Sequence, residues 1–196
     1  MKVILASTNA GKLKELQAAL ATLNVTLISQ RDLELKEADE TAVTFIENAL
    51  IKARHACVQT GLPAIADDSG LCVPALQDAP GVNSARYSGG NDQDNIKKLI
   101  KAMQGLKDSR RQAFFHCVLV YLAHATDPAP YICHGVWEGS ILEEPVGENG
   151  FGYDPIFYVP THRVTASQLS ITQKNEISHR GKALQQFISQ WSLLKG

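Results

Sequence analysis

The first 66 residues alternate short, uninterrupted apolar runs with stretches of helical spacing, and this alternation limits the fold more than any other feature of the chain. Residues 3–6, Val-Ile-Leu-Ala, read as a buried strand, since a strand covered on both faces carries no polar side. Leu13, Leu16, Leu20 and Leu23 then recur at three- and four-residue intervals, the stripe of an amphipathic helix. Residues 25–28 predict a second strand, 31–40 an acidic loop and 41–60 a second helix. That helix carries Phe45, Ala49, Ala53 and Ala56 or Cys57 on its apolar face, and Gly61 suits the position just past its end. Residues 64–66 read as a third strand running into a turn. A β-α-β-α-β order is the signature of an α/β fold with a covered sheet.

Beyond this point the chain predicts a Gly-, Pro-, Asn- and Ser-rich loop over 78–94 and a short helix over 95–103. Two long β stretches, 114–122 and 131–141, are joined through "TDPAP". A glycine-rich loop feeds a strand at 156–159, and a final helix over 179–194 presents Leu184, Phe187, Ile188, Trp191 and Leu194 as core packing. With 196 residues the chain is expected to form one domain, residues 1–196, with room for two lobes. A formal net charge of −1 argues against a generic nucleic-acid binder. No apolar run approaches a membrane span, and no signal-peptide pattern opens the chain. The four cysteines form no C-x-x-C pair, which suits reduced thiols in the cytoplasm better than a disulfide framework.

Several stretches could carry chemistry. Ser7, Thr8, Asn9, Ala10, Gly11 and Lys12 sit where the first strand turns into the first helix. Free N–H groups and the positive end of the helix dipole make such a turn an anion site, and Lys12 adds a point charge. It is not a Walker-type loop, because Ala6 and Leu13 stand where that pattern needs Gly and Ser or Thr. The competing reading is a plain helix cap at Ser7, Thr8 or Asn9. Asp67-Asp68-Ser69-Gly70 follows the third strand, where ligands of open α/β sheets bind. Neighbouring residues on an extended chain face opposite ways, so one carboxylate is expected to face a site and the other to support a turn. Asn48 and Lys52 share a helix face, as phosphate contacts or as a solvated surface. "FGYDP" at 151–155 suits a loop that clamps a planar ligand, and Ser178-His179-Arg180 places two donors where the helix dipole disfavours cations. His116-Cys117 and Cys133-His134 lack zinc-ligand spacing and read as strand residues.

Taken together, "ASTNAGKLKEL", "TFIENALIKARHA", "IADDSGL", "APGVNSARYSG", "GFGYDPIF" and "ISHRGKAL" resemble, in this order, the Ham1-like nucleoside triphosphate pyrophosphatases, in particular the bacterial dITP/XTP pyrophosphatases. The resemblance implies a two-lobed α/β fold with a long, curved mixed sheet flanked by helices and a nucleotide cleft between the lobes. It implies hydrolysis of ITP, dITP and XTP to the monophosphate and pyrophosphate, which cleanses the nucleotide pool. It further implies a Mg²⁺ cofactor and a homodimer, with neither nucleic acid nor membrane as partner. By the same resemblance Ser7 to Lys12 bind the triphosphate, Lys52 faces a phosphate, Asp68 is catalytic and contacts Mg²⁺, and Ser69 touches substrate. Glu40, with Asp39 beside it as the alternative, matches the second metal-associated acid. Phe151, Gly152, Tyr153, Asp154, Lys174, His179 and Arg180 match the nucleobase pocket. The competing functions are a nucleotide-binding regulatory module without catalysis and a pyrophosphatase that prefers modified pyrimidines. Asp68 argues against the former, since a carboxylate beside a polyanion is useful only where metal or water is held.

Overall fold

A computed structural model describes residues 1–7, 9–21, 23 and 25–191, without the side chains of Ala10, Gly11, Lys12, Lys14 and Glu15. Seven strands form one mixed sheet: β1 (Lys2–Leu5), β2 (Thr26–Ser29), β3 (Ala64–Cys72), β4 (Gln112–Leu122), β5 (Tyr131–Ile141), β6 (Phe157–Val159) and β7 (Val164–Thr165), in the order β2-β1-β3-β4-β5-β6-β7. β1 runs parallel to both β2 and β3, whereas β6 is antiparallel to β5 and to β7. The helices are α1 (Ala10–Leu20), α2 (Phe45–Thr60), α3 (Asp92–Ala102), α4 (Ile171–Ile177) and α5 (His179–Gln190).

The chain gathers into two compact units. The first comprises Met1–Asp68, Cys117–Gly135 and Arg180–Gly196, and the second Ser69–His116 and Val136–His179. Strand alternation builds the first unit. Val3, Leu5, Ile65, Cys117, Leu119 and Tyr121 pack with Leu13, Leu16 and Leu20 of α1 and with Ala183, Leu184 and Phe187 of α5. The intervening residues, Ile4, Ala6, Ala64, Ala66, Val118, Val120 and Leu122, pack instead with Ala49, Ala53, Ala56 and Cys57 of α2. Helices therefore cover both faces, which is why these strands read as unbroken apolar runs. α2 is held at both ends. Thr44 accepts from the Glu47 N–H at its start, and Gly61 closes it in the left-handed conformation at φ 66°, which glycine adopts without cost.

The second unit has one core, in which Leu71, Leu99, Met103, Phe115, Trp137, Ile156 and Phe157 meet. β5 alternates buried and exposed positions along its length, as expected of a strand covered on one face there. α3 begins at Asp92, earlier than the hydrophobic spacing suggests, because Asn91 and Asp94 form a reciprocal capping box.

Three expectations are corrected. Asp67 to Gly70 is not a turn after a short strand but the middle of β3, nine residues long. β7 and α4 were not anticipated at all, and the segment 78–94 contains a short 3-10 helix, Gly81–Arg86. Leu194 of the expected final stripe lies outside the described residues.

Candidate active site

Parallel pairing sets the first cluster. Leu5 is level with Ile65, and the Ala6 N–H donates to the Ile65 carbonyl at 2.8 Å. The chain leaving β1 thus starts toward α1 beside residues 66–68 of β3. β1 lies between β2 and β3, and the helices that lead to these neighbours, α1 and α2, lie on opposite faces. The carboxyl end of β1, where it leaves β3 beside residues 66–68, therefore lies at a topological switch point, where open α/β sheets bind ligands.

Ser7 is half-buried at that point, and the Asn9 carbonyl accepts the Leu13 N–H at 2.9 Å, starting α1. Ala10, Gly11 and Lys12 form the first turn of α1, which carries no acidic residue. Thr8 and the Lys12 side chain lie outside the described residues.

The alternation that sorts the apolar residues also sorts the two aspartates. Residue 67 shares the face of Ile65, toward α5, and residue 68 shares that of Ala66, toward α2. Accordingly, Asp67 lies 3.9 Å from Arg180 Nε of α5, with both side chains shut away from solvent. Asp68 Oδ1 accepts from Lys52 Nζ of α2 at 3.0 Å. Lys52 also donates to Glu40 Oε1 at 3.0 Å, so one ammonium bridges two carboxylates. Burial by itself lowers the Lys52 pKa, but Asp68, Asp67 and Glu40 together outweigh it and raise it above its ordinary value. The neighbouring Asp39 is not the residue at the bridge. Ser69, next to Asp68, is half-buried and belongs to the second unit.

The second cluster lies within the second unit. Asp154 Oδ2 accepts the Phe151 N–H at 2.9 Å and the Lys174 ammonium at 2.6 Å. A Cβ at Gly150, whose φ is +84°, would collide with that same oxygen, so glycine is required for the loop to close on Asp154. Lys174 also sits 4.8 Å above the centroid of the Phe151 ring, a cation–π distance. The Gly152 N–H donates to Asp92 Oδ2 at 2.8 Å, tying the loop to the start of α3. The Tyr153 ring enters the core and its hydroxyl donates to the Ser84 carbonyl at 2.8 Å, while burial raises its pKa. Phe151 is partly exposed. The His179 ring stacks on Phe115, with centroids 4.7 Å apart and planes 9° apart, and lies 6.2 Å from Trp137.

Asp68, Lys52 and Glu40 are thus gathered in one place, and Phe151, Asp154 and Lys174 in another. Arg180 lies 3.9 Å from Asp67 in the first unit, and His179, its neighbour in the chain, packs in the second. Asn48 does not lie on a solvated face: it is fully buried, with its carboxamide on the backbone of Ala42. Asp92, Ser84, Phe115 and Trp137 were missed. Only Asp92 left a signal in the sequence, through the Asn-x-x-Asp capping box beside it.

The model of the Ham1 family matches residues 3–190. The chain is 58% identical over 194 residues, 96% of either chain, to the dITP/XTP pyrophosphatase of Idiomarina loihiensis. It is 55% identical over 185 residues to the dITP/XTP pyrophosphatase of Escherichia coli, covering 93% of this chain and 94% of that one. Among solved structures, a HAM1 protein from Coxiella burnetii matches all of both chains with a TM-score of 0.92 and 51% identity. The Staphylococcus aureus Ham1 protein matches 98% of each with a TM-score of 0.87 and 36% identity.

Proposed function

The chain belongs to the Ham1 family, and on that basis we propose that it hydrolyses dITP, ITP and XTP to the monophosphate and pyrophosphate. The observation that carries the reading is the bridge from Glu40 through Lys52 to Asp68, midway along β3 and just past the carboxyl end of its parallel neighbour β1. In the reaction a water oxygen bonds to the α-phosphorus, the bond from that phosphorus to the α–β bridging oxygen breaks, and pyrophosphate leaves. Such chemistry is mostly positioning and charge stabilisation.

Asp68 orients the water and takes its proton. Lys52 and Lys12 offset the charge of the leaving pyrophosphate, and the N–H groups at the start of α1 hold its oxygens. Ser69 adds a contact beside Asp68. The two carboxylates already share one cation, the Lys52 ammonium, at 3.0 Å each, and both offer hard oxygen donors. Among the described residues no larger group of potential metal ligands gathers, which suits Mg²⁺, an ion that takes one or two carboxylates and completes its shell with phosphates and water. Glu40 and Asp68 would hold Mg²⁺, which would supply charge neutralisation at the phosphates.

Base selection follows from donors. Hypoxanthine and xanthine carry an oxygen at C6, which accepts hydrogen bonds, whereas adenine carries an amino group, which donates. Lys174, with His179, supplies donors, Phe151 supplies a ring face, and Gly152, Tyr153 and Asp154 shape the loop. Adenine leaves a donor facing a donor, costing roughly 1–3 kcal/mol for each unsatisfied group. One domain over residues 1–196, a homodimer and a cytoplasmic place complete the reading. The test is a panel of dITP, XTP, dGTP and dATP with Mg²⁺, scored for kcat/KM. Higher values for dITP and XTP are expected, and equal values for all four reject the substrate assignment.

A further inference from the structure

Residues 36–42, which carry Glu40, lie along one stripe of α2. Gln59 Oε1 accepts the Lys36 N–H at 3.1 Å, and its Nε2 donates to the Lys36 carbonyl at 3.0 Å. Asn48 Oδ1 accepts the Ala42 N–H at 3.0 Å, and its Nδ2 donates to the Ala42 carbonyl at 3.2 Å. Each carboxamide therefore satisfies both backbone groups of one residue, as a neighbouring strand would. His55 Nε2 adds a third contact, 3.0 Å from the Lys36 carbonyl.

Asn48, Lys52, His55 and Gln59 are spaced by four, three and four residues, so they occupy one face of the helix. The strap runs antiparallel to them, with residue 42 over 48, residue 40 over 52 and residue 36 over 55 and 59. The lengths agree. Six residues of extended chain span about 20 Å, and eleven residues of helix rise about 16 Å.

We propose that Asn48 and Gln59 are positioning residues that hold the strap on both sides of Glu40 and so set its carboxylate beside Lys52 and Asp68. This rests on Glu40 being a metal-binding acid. A carboxylate on an unpinned loop pays ordering entropy whenever it binds a cation; one pinned two residues away has lost most of that freedom already. Asn48 is the stronger clamp, because it is closer to Glu40 and buried, whereas Gln59 is exposed. An unsatisfied carboxamide in that position would be costly, so the clamp stays closed.

The test titrates Mn²⁺ into the full-length protein and follows free Mn²⁺ by electron paramagnetic resonance, with thermal unfolding as a check on folding. Glu40→Gln and Asn48→Ala are each expected to weaken Mn²⁺ binding by about 10-fold or more, the usual cost of losing a ligand's support. The double variant is expected to bind no more weakly than Glu40→Gln alone, because Asn48 acts through Glu40. If Asn48→Ala keeps wild-type affinity while Glu40→Gln loses it, the clamp is overturned and the Glu40 assignment stands. A double variant weaker than Glu40→Gln also overturns it. If Glu40→Gln binds Mn²⁺ as the wild type does, the metal assignment itself fails and takes the clamp with it. Should Asn48→Ala not fold, Gln59→Ala, on the exposed side of the strap, carries the same comparison. A several-fold loss that vanishes in the Glu40→Gln background supports the clamp, and an unchanged affinity overturns it.

Discussion

Replacing Arg180 by methionine removes the cation 3.9 Å from Asp67, a carboxylate that the fold shuts away from water. At an effective dielectric of about 20, unit charges at that distance attract by roughly 4 kcal/mol. Breaking a buried pair by deleting one partner costs about 3–5 kcal/mol, and the Lys52 ammonium, which also feels Asp67, puts the expected loss toward the lower end. For a chain of this length, each 1 kcal/mol shifts the midpoint by about 2–4 °C, so Arg180→Met is expected to lower Tm by roughly 6–20 °C. Asp67→Asn should fall in the same range. The double variant should recover much of the loss, since neither charge is then left buried alone. The assay is thermal and urea unfolding of the four proteins. Independent, additive losses would refute the pairing, as would a Tm within a degree or two of wild type for Arg180→Met. In the latter case Arg180 would serve the ligand alone.

Asp68→Asn should lower turnover by about 10²-fold or more, in keeping with a proton acceptor, with a smaller Tm shift than Arg180→Met; comparable, mild effects of Asp67→Asn and Asp68→Asn on kcat would reject the division of labour between the two carboxylates. The Lys52 pKa is raised above its ordinary value of 10.5, so its share of stability is fully present below that pH and is lost as pH rises through the higher folded value. The stability gap between wild type and Lys52→Met should thus stay constant through neutral pH and narrow only above the ordinary value, and a gap that closes near neutrality contradicts this. Lys174→Met should reduce kcat/KM for dITP more than for dATP, narrowing their ratio, whereas an equal fall would place Lys174 away from the base.

The sequence displayed the sheet's two covered faces openly, since every residue of 3–6 and 117–122 is apolar and each must find cover on one side or the other. It hid the continuation of β3 through Asp67-Asp68-Ser69-Gly70. Those residue types favour turns, and partners far along the chain, among them Lys52 and Arg180, offset the burial of two acids in an extended conformation. β7 has two residues and α4 seven, too few for a period to emerge, although the Ser170–Gln173 capping box marked the start of α4. Asn48 was misread because its partner is a backbone group, and backbone partners leave no trace in residue type. The grouping of Asp154 with Lys174 could be expected only from the family resemblance. Its short hydrogen bond spans twenty positions, across elements that local patterning does not connect.

Attack of water on the α-phosphorus is the step on which the proposed reaction depends. Hydrolysis of dITP in ¹⁸O-labelled water with Mg²⁺, followed by mass spectrometry of both products, tests it. Label is expected in the phosphate of the monophosphate, with unlabelled pyrophosphate and no orthophosphate; label in pyrophosphate, or release of orthophosphate, would contradict attack at that phosphorus.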